Sequence, residues 1–124
     1  MNKNEEYLKM DMMDMKVEEK YNSVVVHLRG KLLGGPFAEE LNLTLHKMLD
    51  EGKKNVVLDL DGVTVLNSSG FGILVSSYTT VKNGGGDLKL ARISNKIEEL
   101  LTITKLNQIF EQYPSVEDAL VSYK

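Results

Sequence analysis

The chain has no cysteine. Disulfide frameworks, thiolate metal sites and cysteine catalysis are excluded, and a reducing compartment fits. No apolar run approaches the roughly 20 residues needed to cross a bilayer. Basic charge is neither abundant nor clustered: 15 Lys and Arg stand against 18 Asp and Glu, for a net charge of −3. The densest basic pair is Lys53-Lys54. A nucleic-acid backbone needs a concentrated basic face, so nucleic acid is not the expected partner. The start of the chain, Met1 to Glu6, is polar and lacks the apolar centre of a signal peptide. The expected location is therefore the cytoplasm.

The 124 residues, 42% apolar and 27% charged, fit one globular domain. Residues 1–11 read as a flexible, charged lead-in and 12–124 as the domain. Met13, Met15 and Val17 alternate with polar residues, as do Val24, Val26 and Leu28 after the Tyr21-Asn22-Ser23 turn. That pattern predicts an antiparallel hairpin. Pro36 opens a helix whose apolar stripe is Phe37, Leu41, Leu45, Met48 and Leu49, and Gly52 ends it. The run from Asn55 to Leu60 is almost wholly apolar, as expected of a central strand.

A short loop then leads into a second helix marked by Phe71, Leu74, Val75 and Tyr78. Asn83 to Gly86 stops it, and Leu88 to Ile93 forms the next strand. Asn95 is placed to cap a third helix. Ile109 to Tyr113 reads as an edge strand, and Ser115-x-x-Asp118 opens a last helix. The order β-β-α-β-α-β-α-β-α predicts an α/β fold. It implies a mixed sheet of about five strands with helices mainly on one face.

The densest functional signal is Asn67-Ser68-Ser69-Gly70-Phe71-Gly72. Asn and Ser are good N-caps, so simple helix capping explains the cluster. A functional serine explains it too. Hydroxyls and free N–H groups at a helix start suit a phosphate, and the helix dipole tolerates the added charge. Gly70 and Gly72 are expected to allow close backbone packing.

The segment Asp61-Gly62-Val63 through Ser68-Ser69-Gly70-Phe71-Gly72-Ile73-Leu74 resembles the STAS domain. The resemblance runs from about Met13 to Tyr123 and is greatest to bacterial anti-sigma factor antagonists. It implies that a serine-kinase anti-sigma factor binds this protein and phosphorylates Ser68, which releases it. A phosphatase resets the switch. Ser68 is then the phospho-acceptor, and Asn67, Ser69, Gly70, Phe71, Gly72, Gly34 and Gly35 form the partner surface. Two departures stand out: Asn67 replaces the family's usual acidic residue, and Gly34-Gly35 replaces a more polar loop. They motivate an alternative, a STAS adaptor of a signalling or transport assembly that is never phosphorylated.

An enzyme reading, as a nucleotide hydrolase or phosphotransferase, finds no P-loop; Gly84-Gly85-Gly86 follows a helix and precedes a strand. His27 and His46 have no metal-ligand spacing, so no metal and no cofactor are expected. A monomer or weak dimer is the expected state.

Overall fold

The computed structural model describes residues 7–10 and 13–123. The lead-in residues 1–6 and 11 lie outside the described residues. Six strands form one sheet in sequential order: β1 (Leu8–Met10), β2 (Met13–Lys20), β3 (Ser23–Leu32), β4 (Asn55–Leu66), β5 (Asp87–Ala91) and β6 (Gln112–Tyr113). β1, the strand beyond the expected five, falls within the segment read as lead-in. β1–β2 and β2–β3 are antiparallel; β3 to β6 are parallel. The helices are α1 (Pro36–Asp50), α2 (Ser68–Asn83), α3 (Asn95–Ile103) and α4 (Val116–Val121).

The period-two residues sort into two cores. Val24, Val26, Leu28, Val56, Leu58, Leu88 and Leu90 face α1, α2 and α3 and join the main cluster. Val25, Val57 and Ala91 point the other way and meet Ala119 and Leu120 of α4. Phe37, Leu41, Leu45 and Met48 are the buried stripe of α1. Each such side chain contributes about 1.5–3 kcal/mol by leaving water. The Tyr123 hydroxyl secures the chain end, lying 2.7 Å from the Val56 carbonyl and 3.0 Å from that of Asp87.

Four sequence expectations change. The loop read after Leu60 is strand: β4 continues to Leu66 and pairs with β3 throughout. Two register shifts, between His27 and Arg29 and between Gly30 and Lys31, each admit an extra β4 residue. One extra residue turns a strand over, and a second turns it back. The inward positions therefore run Val56, Leu58, Leu60, Val63, Leu66, which no simple alternation reveals.

The strand expected over Ile109–Tyr113 shrinks to Gln112–Tyr113. Leu106–Gln108 is a 3-10 turn, Ile109 is exposed, and Phe110 plugs the core, its ring 5.2 Å from that of Tyr78. Ser94, not Asn95, caps α3; its hydroxyl accepts from the Ile97 N–H at 3.2 Å. Val75 is exposed, because Ile73, Leu74, Ser77 and Val81 form the buried face of α2.

Candidate functional site

The parallel strands bring their carboxyl ends together, and the serine turn sits at the end of β4. Asn67 is extended, with φ −113° and ψ −175°, and its Oδ1 accepts from the Gly70 N–H at 2.8 Å. Ser68 is the first residue of α2 and is exposed, as are Asn67 and Ser69. Among the described residues no side chain hydrogen-bonds the Ser68 hydroxyl, so no local base is positioned to activate it.

The end of β3 and the loop after it lie against this turn. The Asn67 N–H donates to the Leu32 carbonyl and its Nδ2 to the Leu33 carbonyl, both at 3.4 Å. Gly70 is buried against β3: a Cβ there would stand 1.9 Å from the Leu32 carbonyl oxygen. Gly34, at φ +101°, has the Ser69 Cβ 3.1 Å from where its own would be. Gly35, at φ +80°, occupies backbone space that L side chains rarely adopt.

Gly72 differs from the expectation. Nothing lies within 4 Å of a Cβ there, so no internal packing requires glycine; the residue leaves a bare, exposed spot one turn after Ser68. Phe71 is half-buried and packs on the main core.

The electrostatics are those of an unpaired helix start. The first turn of α2 holds no acidic residue, and the helix has one basic residue in its last turn, Lys82. The partial positive charge of the N-terminus is therefore not offset by a carboxylate of its own helix.

A second polar cluster, not legible in the sequence, crosses the sheet on the α4 side. His27 of β3 lies between Asp59 of β4, at 2.6 Å from Nδ1, and Glu18 of β2, at 3.0 Å from Nε2. Arg92, just past β5, grips Asp59 through Nε at 2.9 Å and a terminal nitrogen at 2.5 Å. The Asp61 N–H reaches the same carboxylate at 3.2 Å, across the first β4 bulge. Arg92 holds φ 56°, a left-handed conformation that side chains disfavour.

The Asp59 hydrogen bond raises the His27 pKa, burial opposes it, and Glu18 raises it further. Burial resists ionisation of Asp59, but His27, Arg92 and the Asp61 N–H outweigh it and hold the carboxyl far below the usual range. The hydrogen bond from His27 lowers the Glu18 pKa. These pairings come from strand register, so nothing local in the sequence signals them.

No helix among the described residues is long and apolar enough to cross a membrane. No three His, Asp or Glu side chains among them converge as metal ligands. His46 lines a groove between α1 and α2 with Asp50, Ser76, Thr79 and Thr80, beside the carboxyl-terminal half of α2.

Comparison with known proteins agrees with this architecture. The anti-sigma-B factor antagonist of Bacillus subtilis (strain 168) is 28% identical over 97 residues, covering 77% of this chain and 85% of that one. A Thermotoga neapolitana protein provisionally named as an anti-sigma factor antagonist is 28% identical over 74 residues; the match covers 60% of this chain and 66% of that one, just under two thirds. An anti-sigma factor antagonist from Mycobacterium paratuberculosis superposes with a TM-score of 0.75 at 24% identity, covering 90% of this chain and 94% of that one. The Bacillus cell fate determinant SpoIIAA in its phosphorylated form gives 0.70 at 16% identity, over 89% of this chain and 99% of that one. The STAS domain model matches residues 14–119, most of the chain, and this protein belongs to the STAS domain family.

Proposed function

We propose that this protein is an anti-sigma factor antagonist whose partner binding is switched by phosphorylation of Ser68. The carrying observation is an exposed serine at the first position of α2, on a helix start without a carboxylate. Relatives named as antagonists, and a solved STAS relative that is itself phosphorylated, support the reading.

The chain acts as a binding module, not an enzyme. Ser68 has no base of its own, so the kinase partner supplies one. The partner is an anti-sigma factor with serine-kinase activity, a separate phosphatase removes the phosphate, and the exchange takes place in the cytoplasm. Asn67, Ser69, Gly70, Gly72, Gly34 and Gly35 shape the contact surface; the bare spot at Gly72 favours close approach. Phosphorylation adds about −1.5 to −2 charges. The helix dipole tolerates that charge in the free protein, but an apposed surface must desolvate or match it.

The test is affinity capture from lysate of the source organism with wild type, Ser68→Ala and Ser68→Glu as baits. A serine-kinase anti-sigma factor is expected with Ser68→Ala. Its loss with Ser68→Glu should be roughly 30-fold or more, as for an unmatched interfacial charge of about 2–5 kcal/mol. Equal capture by all three baits overturns the switch. It favours the second reading, a constitutive STAS adaptor, which Asn67 and the Gly34-Gly35 loop motivate.

A further inference from the structure

Asn67 touches two elements at once. Its Oδ1 accepts from the Gly70 N–H of α2 at 2.8 Å, and its Nδ2 donates to the Leu33 carbonyl beyond β3 at 3.4 Å. Among the described residues no other side chain hydrogen-bonds the backbone of residues 33–35. That loop holds consecutive glycines at φ +101° and +80°, so its own conformational preferences restrain it little. A primary amide carries an acceptor and a donor at its two tips. An ionised aspartate offers only acceptors, and a serine hydroxyl is too short to reach both elements.

We propose that Asn67 is a positioning residue that latches the 33–35 loop onto the Ser68 turn, so that loop and serine present one surface to a protein partner. The consequence for partners rests on the reading of Ser68 as the switched residue; the latch does not. It gives a physical role to both tips of the Asn67 amide. An acid at 67 would keep the helix cap but set a carboxylate against the Leu33 carbonyl.

The test is 15N relaxation of Gly34 and Gly35 in the full chain, for wild type, Asn67→Asp and Asn67→Ser, without any partner. Wild type should show order parameters near the rigid value of about 0.85. At pH 7 both variants keep a cap acceptor, so the fold survives, but the two glycines should fall below about 0.6. Asn67→Asp carries a signature that simple loss of structure lacks. Below the aspartate pKa, about 3.9 or lower at a helix N-terminus, the protonated acid regains a donor and the loop should tighten. The hydrogen-bond partners of Asn67 are Leu32, Leu33, Gly70 and Phe71, none of them ionisable. Asn67→Ser should stay loose at both pH values.

Glycines as ordered in Asn67→Asp as in wild type at pH 7 overturn the latch. Loosening of Asn67→Asp that persists in its protonated form overturns the role of the donor. Failed discrimination in the Ser68 capture strikes the switch and leaves the latch standing, so the two ideas fail separately.

Discussion

Gly70 and Gly72 are identical residues two positions apart, and the fold asks different things of them. Gly70 sits where a methyl would fall 1.9 Å from a backbone oxygen, which cannot move like a flexible side chain. Gly70→Ala must push α2 off β3, and a loss of about 2 kcal/mol or more is expected, as for overpacking. Gly72 faces open space inside a helix. Gly72→Ala should be neutral or stabilising by about 0.4–1 kcal/mol, because alanine loses less backbone entropy. Thermal denaturation of the two variants checks both signs. If Gly72→Ala weakens partner capture while raising the melting temperature, the bare spot is a contact surface. In the sequence the two glycines look alike, because the approach of Leu32 is a tertiary fact.

Among the elements, β4 departs most from its sequence signal. Its first half, Asn55 to Leu60, reads as a buried strand and is one. Its second half is strand where the sequence suggests a loop, and its buried Leu60, Val63 and Leu66 recur every third residue, matching neither a simple strand nor a helix. Paired bulges produce that spacing and let the strand reach Leu32, where the Asn67 N–H meets the end of β3. Inserting one alanine between Val65 and Leu66 puts the new residue opposite Leu32. Leu66 then turns to the wrong face, and Asn67 is carried past the Leu32 and Leu33 carbonyls. The burial of one leucine, about 1.5–3 kcal/mol, is at stake in addition to the cap contacts. A lowered melting temperature with exposure of the Ser68 turn to proteolysis is the expected result. Phe110 is the opposite case: an aromatic that plugs the core looks, in one dimension, like part of a strand.

Across the whole molecule, Glu18, His27, Asp59 and Arg92 tie together four neighbouring segments of the sheet, and their titration makes global stability depend on pH. The folded His27 pKa is raised, so its contribution is complete below the unfolded value of about 6.5. That contribution is lost as pH rises through the folded value. Glu18 and Asp59 are lowered, so theirs is present above the unfolded carboxylate values of about 4. It disappears as pH falls through the folded values. Stability from this cluster should therefore be greatest between about pH 4.5 and 6.5 and decline on the alkaline side. Urea unfolding from pH 5 to 9 should show that decline in wild type and a flatter profile in His27→Gln. A wild-type profile flat across that range would mean that His27 is not held protonated.

The sequence alone determined the α/β class, the hairpin, the helix stripes, the helix start at Ser68 and the family. Each of these depends on local periodicity, capping chemistry or a contiguous motif, which residues close in the chain can encode. Only the tertiary structure decided which glycine is sterically required, how β4 reaches the serine turn, and what Asn67 holds. It also decided that His27 meets Asp59 across 32 positions of chain. These depend on strand register and on the approach of separate backbones, which are settled by packing between distant segments and leave no periodic trace in any one of them.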